Sequence, residues 1–219
     1  MMQDFSHVKT WVFDLDNTLY DADKKVFDLV ATRMTDFVAD FLKVDAAEAT
    51  RMRKHYYKTY GTTLRGLMTE HNLTPSDFLQ YVHDIDYNLV APCGITQDGL
   101  NKLEGRKVVF TNAPKHFALR MLSQLRIENH FDGVFAIEDA TYWPKPQMDT
   151  YQTFLARHNV DPKTACMFED MEINLKPAHD LGMTTVWLHG TDQNTPANDT
   201  HIHHRAEKLT AWFDQKFNT

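Results

Sequence analysis

Trp11–Thr18 reads WVFDLDNT. An apolar run of aromatic and β-branched residues that stops on a carboxylate is the pattern of a strand buried on both faces, with its carboxyl end opening onto a polar rim. Two acids flanking a single leucine just beyond such a strand are costly unless something there partners them. Four more runs end in the same way: KVVF before Thr111, GVFAI before Glu138, ACMF before Glu169 and TTVWL before His189. Between these four lie amphipathic stretches of helical length, Pro114 to Leu125, Met148 to His158, and Asn174 to Leu181 stopped by Gly182. Strand and helix in alternation predict an α/β fold, a Rossmann-like three-layer α/β/α core around a doubly wound parallel sheet.

Between Asp21 and Pro92 that rhythm breaks. Val26, Leu29, Val30, Met34, Phe37, Val38, Phe41 and Leu42 recur at three- and four-residue steps and predict one long helix with an apolar stripe. Asp45 followed by Glu48 forms a capping box for a second helix ending near Gly61, and Thr74-Pro75 opens another. The expected organisation is a core made of residues 1–20 and 93–219, with a helical domain of residues 21–92 inserted after the first strand. The segment from Gln193 to Thr200 reads as a polar loop, and Ala206 to Phe217 as a closing helix.

Composition narrows the function. With 42% apolar and 24% charged side chains, the 219 residues are those of a globular protein rather than a disordered or fibrous one. Lys+Arg 23 against Asp+Glu 30 gives a net charge of −7, which excludes a broad nucleic-acid surface as a partner. A small anionic ligand needs only a few local cations and backbone N–H groups. No signal peptide is apparent, and no apolar run approaches the ~20 residues that span a bilayer. Two cysteines make no disulfide framework, so a reducing, cytoplasmic setting is expected. Cys166, inside a strand pattern, reads as an inert core thiol. His201, His203 and His204 read as a short exposed strand without a nearby acid rather than a metal cluster. The sequence leaves the oligomeric state open.

Ligands of doubly wound sheets bind beyond the carboxyl ends of the strands, at the topological switch point. The residues at those ends are Asp14 and Asp16 after the first strand, Thr111 and Asn112 after the second, and Glu169 and Asp170 after the fourth, with Lys145 in the loop after the third. Carboxylates converging with a hydroxyl and one lysine suit a hard divalent cation such as Mg²⁺, which takes one or two carboxylates plus water and substrate phosphate.

In this order, DLDNT (Asp14 to Thr18), FTN (Phe110 to Asn112), Lys145-Pro146 and FED (Phe168 to Asp170) with Asn174 resemble the four motifs of the haloacid dehalogenase superfamily. The insert resembles the helical C1-type cap of that superfamily's subfamily IA. YYKTYGTTLRGL (Tyr56 to Leu67), FTNAPKHFALRML and FDG resemble the pyrimidine 5'-nucleotidases within it. The resemblance implies Asp14 as nucleophile, forming an aspartyl-phosphate, and Asp16 as general acid and base. It implies that Thr111, the backbone N–H of Asn112 and Lys145 hold the phosphoryl oxygens. Mg²⁺ would then lie on Asp14, Asp170 and the main-chain carbonyl of Asp16.

Glu169 stands where many relatives have an aspartate, and Asn174 where many have a second acid. Both are expected beside the cation rather than on it, with the Asn174 amide hydrogen-bonding Lys145 or a water. Dehalogenases lack an acid at the position of Asp16, so its presence favours phosphoryl transfer. The function implied is a Mg²⁺-dependent phosphomonoesterase acting on nucleoside 5'-monophosphates, pyrimidine ones preferred. Alternatives are a phosphatase for a sugar phosphate or phosphoglycolate, a phosphomutase, and a non-catalytic module that binds phosphorylated ligands. For specificity, Arg65 is the leading candidate to contact base or ribose, with Tyr20 and Tyr57 as stacking partners.

Overall fold

The computed structural model describes residues 5–21, 24–191 and 200–217. The reading of 193–199 as a loop lies outside the described residues. The chain divides into two compact units, Met1–Asp21 with Ala91–Thr219, and Ala22–Val90.

The first unit begins with β1 (Thr10–Phe13), buried along its whole length. The second unit is helical: α1 (Lys24–Leu42), α2 (Ala46–Tyr60), α3 (Thr63–His71) and α4 (Pro75–Val82). The N-cap half of the predicted capping box forms, the Asp45 side chain accepting from the Glu48 N–H at 2.9 Å, while the Glu48 carboxylate pairs with Arg51. At the other end of α2, Gly61 supplies the left-handed turn with φ 83°. Helix α3 has no strong periodic signature in the sequence. It starts because the Thr62 hydroxyl caps the Arg65 N–H at 3.0 Å, and it packs closely because Gly66 has no Cβ to strike the Tyr56 ring. Tyr56 is fully buried and its hydroxyl bonds His71 Nε2 at 2.7 Å.

The first unit resumes with α5 (Gly94–Lys102), β2 (Arg106–Phe110), α6 (Lys115–Gln124), β3 (Gly133–Phe135) and α7 (Met148–His158). It closes with β4 (Ala165–Glu169), α8 (Glu172–Leu181), β5 (Thr184–Leu188), β6 (His204–Ala206) and α9 (Leu209–Phe217). The sheet is parallel with order β3-β2-β1-β4-β5-β6. This is the expected α/β fold, with one strand more than the five apolar runs predict. The run GVFAI leaves the sheet two residues early, because the Ala136 N–H is taken by Asp139 Oδ2 at 3.0 Å and that of Ile137 by the Ala113 carbonyl at 3.2 Å.

Side chains alternate across β1 as a strand requires. Val12 faces a core shared with Phe110, Phe135, Tyr151 and Phe154, closed by α7 and α8. Trp11 and Phe13 face the other way: Phe13 stacks on Phe168 at 4.8 Å, which meets Trp212 of α9 edge-on at 4.7 Å. Sequence order runs outward from β1 to β3 on one side and from β4 to β6 on the other, so the switch point lies at β1 and β4.

The three histidines need a correction. His204 opens the edge strand β6, but His201 is buried and has an acid partner, Glu172 Oε2 at 2.9 Å. His203 Nδ1 accepts the Thr185 N–H at 3.1 Å. They knit the sheet edge to α8 and β5.

The Phe154 ring lies parallel to Phe110 at 4.5 Å and edge-on to Phe135, with no exposure. Phe154→Ala is expected to cost about 3–5 kcal/mol, as large-to-small changes in a filled aromatic core do. Urea unfolding checks this; a loss under 1 kcal/mol would show that the layer does not depend on this ring.

Candidate active site

The carboxyl ends of β1, β2 and β4 meet in the first unit, and one buried ammonium group joins them. Lys145 Nζ donates to Asp14 Oδ1 at 2.7 Å, to Glu169 Oε2 at 2.6 Å and to the Phe110 carbonyl at 3.0 Å. Its three N–H bonds are thereby used, and Lys145, Asp14 and Glu169 are all buried. The loop carrying Lys145 is held by Asn112, whose Oδ1 accepts the Lys145 N–H at 2.7 Å and whose Nδ2 donates to the Lys145 carbonyl at 3.3 Å. Sequence reading assigned Asn112 only a backbone role toward phosphate. The side-chain clamp is a pairing of two distant segments and leaves no local signal.

Asp14 follows β1, with its N–H donating to the Phe168 carbonyl at 3.0 Å. Asp16 receives the Tyr20 hydroxyl on Oδ1. Tyr20 is buried, which makes it a support for Asp16 rather than the open stacking surface expected from sequence. Asn17, in the left-handed region at φ 58°, donates from Nδ2 to Asp170 Oδ2 at 3.1 Å and so couples the first motif to the fourth. The Thr111 hydroxyl accepts the Ala113 N–H at 3.0 Å, and Thr111 N donates to the Phe135 carbonyl at 3.0 Å. Asp170 is steadied through its carbonyl, which accepts Trp187 Nε1 at 2.9 Å.

In the fourth motif, one of the two partners considered for Asn174 is taken up elsewhere, since the Lys145 donors go to Asp14, Glu169 and the Phe110 carbonyl. Asn174 is buried in α8, but it is not among the partners of Lys145; its carbonyl accepts the Tyr151 hydroxyl at 2.5 Å. One Glu169 carboxylate oxygen holds Lys145 while the other accepts the Met171 N–H at 3.3 Å. Tyr57 and Arg65 belong to the helical unit, Tyr57 in α2 and 57% exposed, Arg65 in α3.

Electrostatically the site is one cation short. Asp14 is pushed up to about 7, first by burial and then by the neighbouring Glu169 charge, against the pull of Lys145. Asp16 is pushed up to about 7 by burial and by Asp14. Glu169 rises to about 7 through burial despite Lys145, and Asp170 is raised by burial and Asp14. For Lys145, burial acts to lower the value, but the two carboxylates outweigh it and hold the ammonium charged. Oxygens of Asp14, Glu169 and Asp170 lie within 4.8 Å of one another. Buried carboxylates that one lysine does not neutralise form the donor set a hard divalent cation takes.

With fold and site described, comparison with known proteins places the chain. A profile of haloacid dehalogenase-like hydrolases matches residues 11–188. The chain belongs to the haloacid dehalogenase-like hydrolase family. It is 28% identical over 193 residues to Phosphate metabolism protein 8 of Saccharomyces cerevisiae, covering 80% of this chain and 60% of that protein. Thus it spans about three fifths of the length of this curated relative. Among solved structures, a HAD phosphatase from Thermococcus onnurineus matches with TM-score 0.65 and 18% identity, over 96% of this chain and 98% of that one. The HAD-hydrolase YfnB from Bacillus subtilis, bound to magnesium, matches with TM-score 0.64 and 13% identity, over 97% and 99%. L-2-haloacid dehalogenases share the fold as well.

Removing Lys145 leaves Asp14 and Glu169 buried without a counter-charge. Lys145→Met is expected to destabilise the protein by about 3–5 kcal/mol at pH 8, where ionising both acids is demanded. Near pH 5 the loss shrinks, because carboxyls whose folded values lie above their ordinary ones stay protonated there. Urea unfolding at the two pH values tests this; an equal loss at both would show that the lysine acts by packing alone.

Proposed function

We propose that the protein is a Mg²⁺-dependent phosphomonoesterase that hydrolyses nucleoside 5'-monophosphates, pyrimidine ones preferred, through an aspartyl-phosphate on Asp14. The observation that carries the reading is the pairing of two acids with different surroundings. Asp14 accepts the Lys145 ammonium, whereas Asp16 takes the Tyr20 hydroxyl and no lysine bond; both are pushed up to about 7, so the lysine and a bound cation would favour charge on Asp14 while Asp16 keeps its proton. A nucleophile needs its charge, and a general acid working at neutral pH needs its proton.

The donor set of Asp14 and Asp170, with the Asp16 carbonyl, would hold the cation, which when bound supplies positive charge that offsets the phosphoryl oxygens. The chain's own groups do the rest. An Asp14 oxygen attacks phosphorus as the bond to the ester oxygen breaks, and Asp16 gives its proton to the departing alkoxide. Asp16 then takes a proton from water as that water attacks phosphorus, the Asp14–phosphorus bond breaks, and phosphate leaves with the carboxylate restored. Lys145 balances charge at Asp14 and the phosphoryl group throughout, and Thr111 with the Asn112 N–H binds the phosphoryl oxygens. Glu169 keeps Lys145 in place.

The similarity to a phosphate metabolism protein and to a HAD phosphatase supports phosphate chemistry over dehalogenation, as does the acid at Asp16. The residues Tyr56 to Leu67 and the FTNAPK segment support a nucleotide leaving group. Among the described residues no helix is long and apolar enough to cross a membrane.

Phosphate release from UMP with Mg²⁺ is expected, with no chloride release from 2-chloropropionate. Asp14→Asn should abolish turnover, and Asp16→Asn should lower kcat by at least 100-fold, the scale of acid–base catalysis. Metal-dependent UMP binding without turnover would instead make the protein a binding module, and preferred hydrolysis of sugar phosphates would move the substrate class.

Cation binding is also expected to depend on pH. Carboxyls pushed up to about 7 keep protons in the folded, metal-free protein that the unfolded chain has released above its ordinary carboxylate range, so the stability of the metal-free form falls as pH rises from about 4 to 7. Bound cation displaces those protons. The rise in Tm on adding Mg²⁺ should therefore be larger at pH 8 than at pH 6; an equal rise would place the cation elsewhere.

A further inference from the structure

Asp16 and Tyr20 lie in the first unit, on the turn that follows β1. The Leu15 carbonyl accepts the N–H of Leu19 at 3.0 Å and that of Thr18 at 3.4 Å, and Asn17 takes the left-handed conformation at φ 58°. The chain is thereby wound back on itself, and the backbone of Tyr20 pairs with that of Asp16 in a single bridge. Beyond it the Asp21 carboxylate accepts Lys208 Nζ at 2.5 Å, which ties this segment to the residue before α9.

Within that turn the Tyr20 hydroxyl donates to Asp16 Oδ1. Tyr20 is buried, with 7% exposure, whereas Asp16 is half-buried, so the phenol is packed in place while the acid stays partly open. The three Lys145 donors go to Asp14, Glu169 and the Phe110 carbonyl, so the lysine does not set the orientation of Asp16. A phenol O–H is a donor that keeps its proton at neutral pH. A carboxyl group whose Oδ1 accepts such a bond carries its own proton on the other oxygen, Oδ2.

We propose that Tyr20 is a positioning residue for the reaction: its hydroxyl fixes the Asp16 carboxyl group so that Oδ2 carries the proton that passes to the departing ester oxygen. This rests on the phosphomonoesterase reading. As the phosphorus–oxygen bond breaks, its electron pair goes to the ester oxygen and takes the proton from Oδ2, and the new Asp16 carboxylate keeps the Tyr20 bond on Oδ1. When water attacks the aspartyl-phosphate, Oδ2 takes the water proton, and Asp14 leaves as a carboxylate with the electron pair of its bond to phosphorus. The Tyr20 O–H bond stays intact throughout. General acid catalysis is worth about 10²–10⁴ in rate, and a misplaced donor loses much of it.

Leaving-group dependence separates this role from simple packing. Phenyl phosphate and p-nitrophenyl phosphate differ by one nitro group, and only the nitrophenolate leaves readily without a proton. The constant kcat/KM covers formation of the aspartyl-phosphate, the step in which the ester oxygen departs. With Mg²⁺ present, Tyr20→Phe should lower kcat/KM at least about tenfold for phenyl phosphate and UMP, and several-fold less for p-nitrophenyl phosphate. Tyr20→Leu should give the same split, and it decides the matter if circular dichroism shows Tyr20→Phe to be misfolded. In an Asp16→Asn background, Tyr20→Phe should add less than about twofold on phenyl phosphate, since the group it positions is gone. Equal losses on the three esters, no loss on any of them, or full additivity with Asp16→Asn would overturn the role of Tyr20 and leave the phosphomonoesterase reading standing. If the wild type hydrolyses none of the three, that reading falls, and the role of Tyr20 with it.

Discussion

A buried ammonium group cannot stand alone in a protein interior, and the site is built around that constraint. Lys145 has water on no side, so each of its three protons needs an acceptor, and the ends of three adjacent strands supply them. The order β2-β1-β4 is what brings the Phe110 carbonyl, Asp14 and Glu169 to one point. Conversely, Asp14 and Glu169 are tolerated in the core only because Lys145 lies between them. The Asn112 clamp follows from the same need, since a lysine arriving on a long loop must have its backbone fixed before its side chain can be placed.

One lysine does not balance the acids around it. Asp14, Asp16, Glu169 and Asp170 are all raised by burial, the mark of a site prepared for further positive charge. Protons on those carboxyls, or a cation that the cluster of Asp14, Glu169 and Asp170 could hold, would fill the deficit. The strand ends that carry the charges are tied to one another by the hydrogen bonds of Lys145. The helical unit has a different character, with a largely apolar cavity at whose wall Arg53 is anchored by the Ala31 carbonyl and Thr35.

Much of this could be read from the chain before folding. The WVF run, the apolar stripe from Val26 to Leu42, the capping box at Asp45 and the stop at Gly182 are local patterns, set by side-chain periodicity and by backbone conformations few residues tolerate. For the same reason the strand-end acids and Lys145 were visible as a set in order along the sequence. Helix α3 was not, because it depends on a hydroxyl cap at Thr62 and on the absence of a Cβ at Gly66 opposite Tyr56. The early end of β3 depends on Asp139 capturing the Ala136 N–H, and the burial of His201 on Glu172 from another helix.

Residue type and spacing thus sufficed for the α/β alternation, the helical insert and the identity of the charged groups at the rim. Only packing in three dimensions decided that Lys145 is shared between Asp14 and Glu169, that the Asn174 carbonyl takes the Tyr151 hydroxyl, that Tyr20 supports Asp16, and that Arg53 is anchored between α1 and α2. Apart from the Tyr20–Asp16 bond, each of those outcomes is a contact between segments well separated in the chain. Hydrogen bonds and ion pairs of that kind are chosen by which donors and acceptors burial leaves with no alternative, and burial is a property of the folded chain as a whole.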